Sequence, residues 1–577
     1  MGATIYYDGH CPFCTRYTEF VRLREAVGPV RLVDLRSDPA AREALQAEGY
    51  DLDEGMVLEL EGTLFHGADA LNRLALLSSS STTFNRVTAA LFRSASLAKT
   101  AYPVLRAGRN AVLFALGRSR ISPGTPNELS AFAIFAHAFG VFGFIDLLYH
   151  IYRNHTTPAI WITGALGAYL AVRPRSPRIF SLLAAAMLIN GIIRMPASSN
   201  HAILLNFTLA AMSAAALYTW CRGRSWTCFM QTFAPVGRCL LVVMYVFGVF
   251  HKLNTDFLDP VTSCATALWE VMPSPLSALD ATWFRHLAIY GTLVGESIIL
   301  LGLCIHRTRH MAIVAGIAFH SMLALSAYGY YPAFSTLTIC LHLLFISPGA
   351  AARIVNAPAW RTLQHRVHGP GILAAAGWMA LLWLFTLNRN SSHVGLLWLP
   401  WSLWLMLLVI RHGREGAEEK PIGPPLYSRT WLLNVFSIVF FINCTSPYLG
   451  LKNTQAMNMF SNLVHEGGRS NHLVMSTVPK PLSYLDDTVT LIDASGSPFL
   501  AGTMKAGWPL PYYGLLDHLD RNPDSSVSFA RAGTIHEDQN SFTMSAEIAD
   551  QLHPTWVRAL LHFHPLSSAE RRYCDLR

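Results

Sequence analysis

The 577-residue sequence predicts a multi-domain membrane protein: an N-terminal α/β domain, a polytopic α-helical membrane core and a small β-rich extramembrane domain at the C-terminus. Three observations predict it. Hydrophobic residues make up 52% of the chain and charged residues 14%, with a mean hydropathy of +0.31, a balance that soluble globular proteins rarely show. Long apolar stretches alternate with basic segments through the middle. Short strand-like and helix-like runs fill the two ends. The net charge of +8 fits basic loops between apolar spans better than nucleic-acid binding.

Residues 1–80 read as one small domain. "TIYY" and "VRLVDL" are short β-branched runs, and "PFCTRYTEFVRLREA" has helical spacing between them. "MVLEL" and "TLFHG" read as a hairpin before the helical "ADALNRLALL", so the order is βαβ then ββα. The opening "MGATIYYDGHCPFC" has neither a basic start nor an apolar core, so this end is expected to stay in the cytoplasm without a signal peptide. Residues 81–128 form a basic connector in which Arg106, Arg109, Arg118 and Arg120 alternate with apolar residues, a pattern suited to lying on a membrane surface.

Residues 129–446 contain about eleven apolar stretches near the length needed to cross ~30 Å of hydrocarbon. They run over 129–151, 157–173, 179–196, 201–220, 236–254, 285–305, 310–328, 331–348, 371–388, 394–411 and 430–446. An inside N-terminus puts "RPRSPR", "CRGRSW", "HRTRH", "RIVNAPAWRTLQHR" and "RHGREGAEEK" all on the cytoplasmic side. That orientation places residues 447–577 outside, where "TVTLIDASGSPFLAG", "SVSFARAGTIHE" and "SFTMSAEIAD" suggest a β-rich domain closed by "WVRALLHF". A bacterial inner membrane is the expected location.

Of the ten cysteines, only Cys11 and Cys14 are spaced as a working pair. Cys221, Cys228, Cys239, Cys264, Cys304, Cys340, Cys444 and Cys574 are scattered, mostly in or beside apolar segments, and read as small hydrophobes. "YDGHCPFC" sets Cys11 and Cys14 between the end of a strand and the start of a helix. Unpaired N–H groups there stabilise a thiolate, which suits Cys11 to attack, and Cys14 lies on the same helical face to resolve a mixed disulfide. Half a zinc site and an idle pair are the plainer readings; no second Cys or His pair in this domain completes a zinc site, and no metal is expected.

At these residues the sequence resembles the DCC family of thiol-disulfide oxidoreductases, thioredoxin-like proteins with the signature Asp-x-x-Cys-x-x-Cys. Asp8, Cys11 and Cys14 match it, and "FHGADAL" at 65–71 resembles the family's later Gly-x-Asp-Ala segment. The resemblance implies a thioredoxin-like fold, a redox-active Cys11–Cys14 disulfide and a protein or small-molecule thiol as partner. Where many thioredoxin relatives place a cis-proline opposite the cysteines, this chain reads "DEGMVLEL".

Polar residues in the spans are the second candidate site. Asn200 and His201 begin the fourth span, Lys252 ends the fifth, Glu296 sits midway along the sixth and His320 lies in the seventh. A mid-membrane carboxylate costs ~2.5–3.5 kcal/mol on insertion scales unless paired or protonated, and a lysine partner would offset that. Burial disfavours an ammonium ion, so Lys252 is a candidate base, with histidines beside it to orient a substrate or pass its proton. The plainer readings are a snorkelling Lys252, a helix-capping His201 and a His320 bonded to a neighbouring carbonyl.

"SSNHAILLNFTLAAMSA", "YVFGVFHKLNTDFLDP" and "IAFHSMLALSAYGYYPAFSTLTICLHLLFISP" resemble segments of the vitamin K-dependent γ-carboxylase family and its bacterial relatives, the HTTM proteins, over 129–355. The resemblance maps that family's Asn-His, Lys-Leu and Phe-His motifs onto Asn200, His201, Lys252, Leu253, Phe319 and His320. It implies a menaquinone- or vitamin K-like quinol as cofactor, Lys252 as the base that deprotonates it, use of oxygen, and a peptide as a candidate substrate. Tyr328 and Tyr330 in "AYGYYPAF" suit either an aromatic belt or a flat quinone. "MNMFSNLVHEGGRSNHL" at 457–473 reads as an interfacial loop or a lid. The expected function is a membrane oxidoreductase; the competing one is a non-catalytic scaffold or proton-coupled transporter using Glu296 and the membrane histidines.

Overall fold

The computed structural model describes the chain except residues 1–2, 10, 12–13, 15–28, 49, 51, 53–54, 78–85, 87–91, 99–100, 103–104, 106–125, 196–198, 222–225, 328–329, 367–369, 390, 415–424, 459, 477–479, 567–572 and 575–577. The four connector arginines, Tyr328 and nearly all of the helix expected over 12–26 lie outside the described residues. Two compact units result, one of Met1–Leu129 with Ala214–Gln231, the other of Ser130–Ser213 with Thr232–Arg577.

The first unit holds a four-stranded sheet of β1 (Ala3–Tyr7), β2 (Val30–Asp34), β3 (Val57–Leu60) and β4 (Thr63–His66) in the order β2-β1-β3-β4. β1 runs parallel to β2 and antiparallel to β3, with Ile5 opposite both Leu32 and Leu58. Alternation along β1 buries Ala3 and Ile5, as a period of two demands when one face meets a core. The β3–β4 hairpin turns on Glu61 and Gly62, both at positive φ (50° and 78°), the twist that tight two-residue hairpins require. The expected helix after the hairpin is present as Ala68–Leu77, and Pro39–Ala47, between β2 and β3, is a helix the sequence reading did not anticipate.

Among the described residues five helices are long and apolar enough to cross a membrane: Leu129–Tyr152, Asn200–Cys221, Cys228–Phe250, Thr282–Cys304 and Ser392–His412. A sixth arises if Tyr331–Leu343 and Pro348–Asn356, bent by 116°, count as one span. The expectation of about eleven is corrected by length. Pro158–Val172 has 15 residues and Pro177–Ile193 has 17, and at ~1.5 Å per residue such helices fall short of ~30 Å. Arg309–Leu323, with 15 residues, and Asn434–Cys444, with 11, fall short in the same way.

Later in the chain, a two-residue ribbon pairs β5 (His465–Glu466) with β6 (Arg469–Ser470). It is followed by an antiparallel sheet of β7 (Thr488–Ser495), β8 (Leu510–Pro511), β9 (Ser526–Arg531) and β10 (Thr534–Asn540), ordered β10-β9-β7-β8. The segment "SVSFARAGTIHE", expected to be β-rich, forms the antiparallel pair β9 and β10. Two expectations change: "SPFLAG" leads into the helix Pro498–Lys505, capped by the Ser497 hydroxyl, and "SAEIADQ" is helical over Ser545–Gln551. The core of this region joins Val489, Leu491, Val527 and Phe529 to Leu515, Leu516 and Leu519 of the helix Tyr512–Arg521.

Candidate functional site

In the first unit, β1 delivers the chain to Asp8, and the Asp8 carbonyl accepts the Cys11 N–H at 3.0 Å. The N–H of Cys14, which is helical, donates to Cys11 Sγ at 3.2 Å. A backbone donor aimed at sulfur stabilises its thiolate more than its thiol. Both cysteines are buried in a core with Ile5, Met56, Leu58 and Leu74. The Asp8 carboxylate pairs with Arg36 at 2.7 Å, and the Gly9 N–H donates to Asp34 Oδ1 at 2.9 Å.

In the second unit, Lys252 lies just past the helix Trp226–Phe250, where Asn254 breaks the backbone by capping Thr255–Leu258. The Asn254 amide also donates to the carbonyls of His251 and Ser461, at 2.7 and 2.6 Å. The Lys252 amine turns back toward Gly248 and donates to Glu296 Oε1 at 2.9 Å and Oε2 at 2.6 Å. Glu296 is on the buried side of a helix whose apolar stretch is only 22% buried. The pair, with each residue under a tenth exposed, is therefore inside the protein.

Lys252, Glu296 and His320 line a cavity of about 410 Å³ otherwise walled largely by Phe, Leu, Met, Trp and Ala. Behind His320 runs a short polar chain: the Tyr245 hydroxyl lies 3.0 Å from His320 Nε2 and 3.1 Å from His342 Nε2, and His342 Nδ1 meets the Thr338 carbonyl at 2.7 Å. A carbonyl only accepts, so His342 Nδ1 carries the proton and, in neutral His342, Nε2 accepts from Tyr245. The Tyr245 oxygen then accepts from His320 Nε2–H, which leaves Nδ1 of neutral His320 as an acceptor. That Nδ1 is buried and has no hydrogen-bond partner among the described residues. Gly316 makes room for this chain, since a Cβ there would stand 2.1 Å from His342 Nε2.

Asn200 and His201 do not join Lys252. They line a second cavity of about 590 Å³ together with Tyr330, whose hydroxyl is 2.9 Å from Thr386 Oγ1. His201 meets the Ser199 hydroxyl at 2.9 Å and lies edge-on to Tyr149. Tyr331, Phe334, Met457 and Phe460 line both cavities. The segment carrying Met457 and Phe460 is tied to the Lys252 turn by Asn471 Nδ2 to Asp256 Oδ2 at 2.8 Å and by His472 Nε2 to the Phe250 carbonyl at 2.9 Å.

Sequence reasoning missed Tyr245 and His342, although both stand in quoted segments and each is a polar group in an apolar run. It also missed the Cys264–Cys574 disulfide, which corrects the reading of those two as isolated hydrophobes. Among the described residues no three His, Cys, Asp or Glu side chains are grouped to hold a metal ion.

Residues 5–115 match the family model of the DCC1-like thiol-disulfide oxidoreductases. The match includes Asp8, Cys11 and Cys14 and ends before the first membrane-length helix. No curated protein matches the chain, and no solved structure does. The chain thus carries an N-terminal thiol-disulfide oxidoreductase-like domain in one polypeptide with helices able to cross a membrane.

Proposed function

We propose that this is an integral-membrane thiol-disulfide oxidoreductase in which Cys11 attacks and Cys14 resolves. The carrying observation is the Cys14 N–H at 3.2 Å from Cys11 Sγ. The Cys11 thiolate bonds to one sulfur of a substrate disulfide and expels the other as a thiolate. The Cys14 thiolate then bonds to Cys11 Sγ and expels the second substrate thiolate, so two electrons leave the dithiol and reduce the substrate. Substrate is a protein or small-molecule disulfide. Cys14→Ser is expected to accumulate a mixed disulfide on Cys11 and Cys11→Ser to accumulate none; turnover that survives loss of both cysteines sinks the reading.

We place the dithiol domain in the cytoplasm and the C-terminal region outside, an orientation that five spans, an odd number, permit. The Cys264–Cys574 disulfide supports the second half of that orientation, because such bonds persist in oxidising compartments.

A second reading concerns the 410 Å³ cavity, for which the unpartnered His320 Nδ1 favours a ligand bearing a hydrogen-bond donor. A bound quinol supplies a hydroxyl proton and two reducing electrons. His320 Nδ1 accepts from the hydroxyl, the apolar walls hold a flat ring and its tail, and the Lys252–Glu296 pair receives the proton. Within that pair the carboxylate offers lone pairs and the ammonium balances negative charge left on the ligand, so the proposed base is the pair and not a lone amine. Lys252→Ala is expected to abolish quinol-dependent oxygen consumption by the purified protein. Unchanged consumption reduces Lys252 to a partner for Glu296, and proton flux stopped by Glu296→Gln alone favours transport instead.

A further inference from the structure

The 590 Å³ cavity has a chemistry that neither reading uses. Arg153, His155 and Arg194 line it, and among the described residues that line it none is Asp or Glu. Arg194 Nη1 is held 2.7 Å from His150 Nδ1. Asp146, one turn earlier on the same helix, faces His150 at 3.5 Å and is not part of the lining.

The cavity also lies at span ends. The helix Leu129–Tyr152 finishes beside it, and Ser199, Asn200 and His201 bring the start of the 22-residue helix Asn200–Cys221 to its wall. The first N–H groups of a helix have no intrahelical acceptor, and its dipole is positive at that end, so an anion is favoured there. A second observation concerns the side chain of the helix's first residue. Asn200 is 8% exposed, and its buried Oδ1 has no hydrogen-bond partner among the described residues. Its amide presents either a donor or an acceptor to a ligand after a half-turn of χ2. Tyr149 and Tyr152, with ring centroids 6.3 and 5.5 Å from that of Tyr330, supply an aromatic wall next to the cations.

We infer that this cavity binds a phosphate group, held by Arg153, Arg194 and the opening turn of Asn200–Cys221. Arginine matches phosphate with paired, charge-assisted hydrogen bonds. The phosphate belongs either to an acidic phospholipid entering at headgroup level or to a free anion, and the cavity chemistry is the same for both.

The test uses the full-length protein in nanodiscs of phosphatidylcholine, with phosphatidylglycerol added to the discs or inorganic phosphate added to the buffer. Retained lipid is read by native mass spectrometry and the unfolding midpoint by tryptophan fluorescence. A higher midpoint with phosphatidylglycerol supports the inference and names lipid as the source; a higher midpoint with phosphate in neutral discs supports it and names the free anion. In either case Arg153→Gln is expected to weaken binding by about tenfold or more, a loss of roughly 1.4 kcal/mol, and Arg153→Lys to restore part of it. Arg153 is exposed, so its replacement leaves the core intact. No midpoint change with either probe, or equal binding by wild type, Arg153→Gln and Asn200→Ala, overturns the inference.

Discussion

Lys252 Nζ donates to both carboxylate oxygens of Glu296, across 44 residues of sequence, within a cavity whose other walls are mostly apolar. Each charge is tolerable there only because the other is present. A buried pair broken on one side leaves a bare ion, whereas replacing both partners with apolar groups of similar size removes the problem.

Glu296→Gln and Lys252→Met are each expected to destabilise the protein by about 3–5 kcal/mol, and the double change Lys252→Met with Glu296→Met to recover most of that. Thermal unfolding of the four proteins in one detergent measures it. Additive losses would show that the two side chains are energetically independent.

The Cys264–Cys574 disulfide closes a separation of 310 residues. Its loss is expected to cost about 2–5 kcal/mol, with Cys264→Ser, Cys574→Ser and the double variant equally affected. Unfolding midpoints with and without reductant check this, and reductant should leave the three variants unchanged.

Burial lowers the pKa of Lys452 from its ordinary 10.5 to about 8, and its ammonium donates to the Leu560 carbonyl at 2.9 Å. Between those two values the unfolded chain binds a proton that the folded chain does not, so stability rises with pH across the window and is lost as pH falls through it. Lys452→Met is expected to flatten this slope and raise stability at pH values below it. Urea midpoints measured at both ends of the window decide the matter.

Burial likewise lowers His562 from its ordinary 6.5 to about 4, with His564 and Lys452 adding like charge. The folded C-terminal region holds His562 neutral while the unfolded chain protonates it, so stability is expected to fall as pH drops from 6.5 toward 4. His562→Gln should reduce the acid sensitivity, as followed by hydrogen exchange of β7 and β9.

A Cβ at Gly9 would stand 2.1 Å from Asp34 Oδ2, next to the backbone bond that Gly9 donates to the same carboxylate. Gly9→Ala is expected to cost about 1–3 kcal/mol, typical of forced overpacking, and to slow disulfide exchange at Cys11. Reduction of a small disulfide by the purified protein reports the second effect.

What the sequence made legible follows the range of the forces involved. The strands around Asp8 and the Cys11–Cys14 motif are local patterns, and they stand where alternation and spacing put them. The span count failed on helix length. Pro158–Val172 and Pro177–Ile193 lie within three residues of the expected stretches, but at 15 and 17 residues they fall short of a full crossing. Membrane depth grouped His201 with Lys252, but depth says nothing about lateral position, and the two side chains line different cavities. The bond between Cys264 and Cys574 is a product of tertiary structure over 310 residues, beyond any spacing rule.

The partition made by Tyr331, Phe334, Met457 and Phe460 has a thermodynamic consequence. A guest that shifts those four side chains from one chamber reshapes the other, so affinities on the two sides are linked by a single factor acting equally in both directions. Titrating either guest in the presence of the other reads that factor directly, and a cross-effect seen in one order must recur with the same size in the reverse order.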